Sequence, residues 1–289
     1  MSIAFNADCI LCHIRRQTAT ARQLGTEEQA IAFLKDLMKL YQEIPEGDSF
    51  TAYNPEVNDL LKKHYGVEDD RFRQEKIDSN RFVLPRLDQI REKVSRAADP
   101  VYAGLQFAIL GNYIDFGALQ EELSFDQLED LLQSAEKMDL DMEIYSKLCV
   151  DLESGKKLLY LTDNAGEIGF DRIFAEEIHK KYPDLEITFC VRGAPALNDA
   201  TREDAELMGI PFPIIDNGTR IAGTVIEKLG SEAKQALDEA DVIIAKGMAN
   251  TETMHGCGYN VYYAFLIKCV RFEQVFGKPK FTPMLVSER

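Results

Sequence analysis

Leu158-Leu159-Tyr160-Leu161-Thr162-Asp163-Asn164-Ala165-Gly166-Glu167 is the stretch that decides the fold of this chain. Four apolar residues in a row stop at polar residues, a small pair follows, and a helical pattern resumes. A short apolar run that ends in turn residues and feeds a helix reads as a strand buried on both faces. The same pattern recurs downstream. Ile187-Thr188-Phe189-Cys190-Val191 ends at Arg192-Gly193, and Pro213-Ile214-Ile215 ends at Asp216-Asn217-Gly218. Val242-Ile243-Ile244-Ala245 ends at Lys246-Gly247, and Met284-Leu285-Val286 lies near the end of the chain. Strands separated by helices imply a mainly parallel sheet, and ligands of such sheets bind beyond the carboxyl ends of the strands.

Upstream of about residue 156 the patterning is helical. Ala30, Phe33, Leu34, Leu37, Met38 and Tyr41 recur at the spacing of an amphipathic helix. Asn54-Pro55 opens a second helix and Gly66 closes it; Leu87, Ile90, Arg91 and Val94 continue a third, broken at Asp99-Pro100. Ser124 with Gln127 forms a capping box ahead of Leu128, Leu131 and Leu132. The expected fold class is therefore α/β: an all-helical N-terminal domain over residues 1–153, then a three-layer α/β/α domain over 154–289 that carries the ligand site.

The chain of 289 residues carries a net charge of −16, so a broad basic surface for nucleic acid is not expected. A small anionic substrate remains compatible, because a metal ion and a few local cations reverse the field inside a pocket. No signal peptide and no apolar run long enough to span a membrane is apparent, and six cysteines in a chain this long do not form a disulfide framework. A reduced cytoplasmic protein is the expectation; oligomeric state is not legible.

Three strand ends carry candidate chemistry. At the first, Asp163 and Asn164 offer oxygens for a hard or borderline divalent cation, and Ala165-Gly166 lets a ligand approach the helix start, although either polar residue could simply cap the helix. Glu167 follows directly. After the second, Asp199 can supply a third metal oxygen, Asn198 can cap a helix or contact substrate, and Asp204 stands one turn on. At the fourth, Lys246 presents a point positive charge to a phosphate, Asn250 offers a donor and an acceptor, and Glu252 follows. Each motif alone suits an ordinary turn; their convergence at the ends of one sheet points to a site.

Cys9-Ile10-Leu11-Cys12-His13 matches the attachment pattern of a c-type haem, but no export signal accompanies it. Zinc or another metal held by Cys9, Cys12 and a distant cysteine such as Cys269 competes with a structural role for two helix-borne cysteines. His64 and His179 read as structural or solvated, whereas His255 lies close enough to the Lys246 motif to line a pocket.

TDNAGEIGFD, RGAPALNDATREDA and KGMANTE, in that order, resemble the signature motifs of the metal-dependent damage-control phosphatases, formerly catalogued as domain of unknown function 89. Gly111-Asn112-Tyr113-Ile114-Asp115 resembles a further segment of that family, and the leading CxxC with Lys268-Cys269 resembles its microbial, cysteine-containing branch. The resemblance implies a helical N-terminal part on an α/β/α core and a divalent metal (Mg, Mn, Co or Ni) at Asp163, Asn164 and Asp199. It also implies phosphate contacts by Lys246, Asn250 and Arg192, and hydrolysis of small phosphorylated metabolites such as sugar phosphates or damaged cofactor intermediates. The nucleophile is a metal-activated water or a carboxylate; with Asp163 committed to metal, water is favoured, with Asp199, Asp204 or Glu167 as proton acceptor. The competing readings are an S-adenosylmethionine-dependent carboxyl methyltransferase and a non-catalytic metal or metabolite binder. An acidic DNAGE where a methyltransferase needs a glycine-rich turn counts against the first.

Overall fold

A computed structural model describes residues 3–117 and 138–288, the side chains of 113–117 excepted. The Ser124–Gln127 capping box and the side chains of Tyr113, Ile114 and Asp115 lie outside the described residues. Helices come first: α1 (Ala7–Leu24), α2 (Glu27–Glu43), α3 (Asn54–Tyr65), α4 (Arg73–Val83), α5 (Leu87–Ser95), α6 (Pro100–Gly117) and α7 (Met142–Ser154). Strand–helix alternation follows: β1 (Lys157–Leu161), α8 (Glu167–Lys181), β2 (Glu186–Val191), α9 (Arg202–Leu207), β3 (Ile214–Asp216), α10 (Ser231–Glu239), β4 (Val242–Lys246), α11 (Gly247–Met254), β5 (Val261–Leu266), α12 (Val270–Phe276) and β6 (Pro283–Ser287).

Local signals set these boundaries. Thr26 and Gln29 form a reciprocal capping box at the start of α2, and Gly66 ends α3 in the left-handed region at φ +67°. Pro100, which breaks the preceding pattern, is itself the first residue of α6; its missing N–H costs nothing there. Val101, Leu105, Phe107, Ala108, Ile109 and Leu110 of α6 are all buried, so this helix is apolar all round and lies inside the protein rather than on it.

Among the described residues the sheet has six strands in the order β3-β2-β1-β4-β5-β6. The pairs from β3 to β5 are parallel, and β6 runs antiparallel at the edge. β5 is a strand that periodicity did not single out. Val261-Tyr262-Tyr263-Ala264-Phe265-Leu266 is buried along its whole length between β4 and β6, so the aromatic-rich stretch is sheet interior.

Two apolar cores cover the two faces. One gathers α4 to α8 over Leu158, Tyr160, Ile187 and Phe189; the other gathers α10, α11 and α12 over Leu159, Leu161, Ile243 and Phe265. The helices of the first half thus share a core with the sheet. At about 1.5–3 kcal/mol for each large buried apolar side chain, this shared layer is a principal source of stability.

A third cluster packs α1, α2 and α3. The α1–α2 layer closes on an aromatic group: the His13 ring lies 4.7 Å from Phe50, and Tyr41 Oη is 3.3 Å from His13 Nδ1. Burial, assisted by Arg16, lowers the His13 pKa from 6.5 to about 4. The fold therefore holds the neutral ring, and stability present above pH 6.5 is lost as pH falls toward 4. Wild-type protein should lose about 2 kcal/mol more than His13→Gln between pH 7 and pH 4, read by denaturant unfolding at each pH; parallel curves for the two proteins would remove His13 as the cause.

Candidate active site

The strand order reverses at β1, with β2 and β3 on one side and β4 to β6 on the other. Open α/β sheets bind ligands at this switch point. The register pairs Leu161 with Cys190 on one side and with Ala245 on the other. Two residues further on, Asp163 emerges between Arg192 and Gly247. Asn164 bridges to Asp199, Ala200 N–H donates to Asp163 O at 2.7 Å, and Ala165 N–H donates to Asn198 O at 2.9 Å. These backbone bonds stitch the DNAGE turn to the Asn198-Asp199 loop, so Asp163, Asn164 and Asp199 share one point above the sheet.

Gly247 makes the fourth wall. Its φ is +78°, and a methyl group at its Cα would overlap the Asp163 carboxylate. Only glycine combines that backbone with that proximity.

Beneath the loops lies a buried ion network. Lys246 is fully buried and donates to Ala108 O, Glu167 Oε1 and Asp171 Oδ1, each at 2.7 Å. Its three N–H groups are used on protein acceptors, where the sequence suggested a substrate phosphate. Burial pushes the Lys246 pKa down, but Asp171 and Glu167 more than offset this and the net shift is upward. Arg192 is likewise enclosed: Nε donates to Asp199 Oδ2 at 2.6 Å, Nη1 to Gly223 O at 2.9 Å, and Nη2 to Thr162 O and Asn250 Oδ1. Asn250 donates to Thr162 O and Lys246 O and accepts from Thr224 Oγ1. Arg192 and Asn250 therefore orient Asp199 and the strand ends instead of facing outward.

The carboxylates outnumber the buried cations. Asp163, Glu167, Asp171 and Asp199 are all buried, against Lys246 and Arg192. Burial, then Asp199 and Glu167, raise the Asp163 pKa well above the carboxylate range, while Lys268 and Arg192 oppose the rise. Burial raises Asp171 to about 6 despite Lys246 beside it, with Glu167 adding to the rise. Buried negative charge in excess of its partners is relieved by protonation or by a bound cation.

The helical layer clamps the turn from above. Asn112 on α6 donates to Asp163 Oδ2 at 2.9 Å and to Glu167 Oε2 at 2.8 Å, and Asn164 Nδ2 makes the same two bonds. Asn112 Oδ1 is buried without a partner among the described residues. On α4, Asn80 accepts from Gly166 N–H at 2.8 Å and donates to Asp204 Oδ1 at 2.7 Å. Asp204 Oδ2 in turn accepts from Thr201 N and Oγ1, with Lys76 Nζ 3.5 Å away. Gly166 N–H is thereby used, and Asp204 acts through Asn80 on the turn instead of standing at it as a proton acceptor. Reading the chain alone passes over Asn80, Lys76 and Asp171. Their signals were helical spacing: Lys76, Ser79 and Asn80 share a face of α4, and Asp171 stands four residues beyond Glu167.

Other expected residues lie apart from this cluster. Glu252 faces the N-terminal segment, where Ser49 Oγ donates to its side chain and Ile3 N–H to its carbonyl. Cys9 and Cys269 fall in that same region, each with its pKa raised chiefly by burial and each subject to the charge of Glu252, while Cys12 is exposed. Among the described residues no group of three or more His, Cys, Asp and Glu side chains is spaced to hold a metal. Nothing in this geometry favours zinc at the cysteines, and the candidate cation site depends on the Asn164 amide beside Asp163 and Asp199. His255 pairs with Glu288 at 2.6 Å at the far end of α11.

Known proteins share this chain's sequence and fold. A family model described as a damage-control phosphatase ARMT1-like domain matches residues 5–281. An uncharacterized protein of Methanocaldococcus jannaschii is 33% identical over 284 residues, covering 93% of this chain and 90% of that protein. A damage-control phosphatase of Archaeoglobus fulgidus is 32% identical and covers 85% of each chain. A crystal structure of a domain of unknown function 89 protein from Pyrococcus horikoshii superposes with a TM-score of 0.86 at 26% identity, covering 99% of each chain.

Two substitutions test the geometry. Gly247→Ala should displace the Asp163 carboxylate and weaken Mn²⁺ binding at least tenfold, whereas Asn80→Ala should weaken it by about tenfold, the usual effect of losing a residue that orients a ligand. Calorimetric titration of folded protein with Mn²⁺ measures both; wild-type affinity in Gly247→Ala would mean that the ion sits elsewhere.

Proposed function

The chain belongs to the ARMT1-like damage-control phosphatase family, formerly domain of unknown function 89, and from that premise we propose that it is a metal-dependent phosphatase acting on small phosphorylated metabolites. The observation that carries this reading is the excess of buried carboxylate at the switch point of the sheet. Asp163, Glu167, Asp171 and Asp199 converge there with two buried cations between them.

The donor set fits a divalent cation of the Mg, Mn, Co or Ni type. Asp163, Asn164 and Asp199 would hold it through oxygen, and Asn112 leaves a buried oxygen without a partner beside them. Bound there, such an ion supplies Lewis-acid polarisation of a phosphoryl oxygen and neutralises charge as the P–O bond breaks.

The remaining work falls to the protein's own groups. Arg192 fixes Asp199, and Lys246 fixes Glu167, so both carboxylates are set before substrate arrives. Lys268, whose charge bears on Asp163, follows β5 at the rim, and its backbone N–H meets Met248 Sδ at 3.1 Å on the first turn of α11. The charge of Lys268, which bears on Asp163, and the N-terminal turn of α11 favour phosphate oxygens at this rim. We assign to Glu167 or Asp199 the acceptance of a proton from an attacking water.

Purified protein should release phosphate from a sugar phosphate or aryl phosphate panel only with a divalent ion, and Asp163→Ala should lower kcat/KM at least a thousandfold. Stabilisation by S-adenosylmethionine in place of Mn²⁺, with no phosphate release from folded, metal-loaded protein, would transfer the assignment to a methyltransferase.

A further inference from the structure

The loop ahead of α4 holds a cation that the site described above does not use. The Arg71 guanidinium lies over the Phe72 ring, with Cζ 4.7 Å from the centroid. Its Nε is enclosed by protein and has no hydrogen-bond partner among the described residues. A buried donor left unpaired costs about 1–3 kcal/mol, and more when it is charged. The chain is not short of acids, with 49 Asp and Glu against 33 Lys and Arg. Arg71 is half-buried, and its Nε left unpaired in so acidic a protein is open to an anionic partner.

A second arginine sharpens it. Arg16 on α1 is exposed and close enough for its charge to act on Arg71, while Glu75 acts on Arg71 in the opposite sense without a hydrogen bond. The neighbouring Asp70 turns to Lys76 at 3.7 Å. Arg71 thus feels a second guanidinium, and among the described residues no carboxylate is hydrogen-bonded to it.

Their position is fixed by α4. Its inward side chains touch the site: Lys76 and Asn80 reach Asp204, and Asn80 holds Gly166 N–H. Arg71 stands two residues before the same helix, within about 10 Å of Lys76 along its axis. That is the helical rim on the carboxyl side of the strands.

We propose that Arg71, with Arg16, binds an oxyanion, and that this point receives the second anionic group, phosphate or carboxylate, of a doubly anionic substrate. The planar guanidinium, pinned on Phe72, matches the two-oxygen geometry of such a group. The substrate half of this proposal rests on the phosphatase reading; the anion site itself does not.

The test uses the full chain and two arms. In the first, metal-free protein in EDTA is melted in sodium sulfate and in sodium chloride of equal ionic strength. Sulfate should raise the wild-type Tm above that of Arg71→Gln, which controls for the general effect of sulfate on proteins; Arg71→Lys should retain part of the gain. In chloride, Arg71→Gln should melt no lower than wild type, because it removes an unpartnered charge. In the second arm, Mn²⁺-loaded protein is assayed on a sugar bisphosphate and the matched monophosphate. The ratio of their kcat/KM values should fall about tenfold in Arg71→Gln, the worth of one charge-assisted hydrogen bond.

Equal sulfate response in wild type and Arg71→Gln, or a Tm several degrees lower for the variant in chloride, overturns the anion site. A lost sulfate response with an unchanged ratio overturns the substrate half and makes this a site for a free anion. If no phosphate ester is turned over, the phosphatase reading fails by itself and the sulfate arm still decides the anion site.

Discussion

The ammonium group of Lys246 is the contact on which the rest of the structure depends. It ends β4, lies under the first turn of α8, and spends its three N–H groups on Glu167, Asp171 and a carbonyl of α6. Strand, covering helix and central helix thus meet on one buried charge. Removing it would leave two buried carboxylates without a counterion, a far larger penalty than losing an exposed pair. Tyr160 adds a hydrogen bond to Asp171 at 2.8 Å, so even the middle of β1 joins the same network.

Charge is arranged around this point in two layers. The lower layer is partly neutralised, with Lys246 and Arg192 held against Glu167, Asp171 and Asp199. The upper layer, centred on Asp163, remains in excess, and its amide neighbours Asn112 and Asn164 hold its geometry without cancelling its charge. A protein that only needed a stable core would gain by replacing such a cluster with apolar groups. Keeping it confines buried negative charge to one place at the switch point of the sheet.

The helical half is part of this site. Asn112 descends from α6, and the Lys76–Asp204–Asn80 chain descends from α4 to the Gly166 N–H. The turn carrying Asp163 is therefore gripped from the sheet below and from the helices above, with a shared apolar core on the same side. Such pre-organisation lets loop residues act with the precision of residues on regular elements.

Most elements were legible in the sequence, because helix and strand signals are local: apolar spacing, caps and turn residues act within a few positions. The alternation after residue 156 and the loops bearing Asp163, Asn164 and Asp199 followed from that reading, while β5 (Val261–Leu266) was not singled out by periodicity. The sequence by itself determined which chemistry-bearing residues stand at strand ends. Only the tertiary structure decided which way their donors point. Lys246, Arg192 and Asn250 turned inward because their partners, such as Ala108 at 138 residues' distance from Lys246, are brought together by packing alone. A polar side chain's role follows from the groups that surround it after desolvation, and no local pattern encodes those.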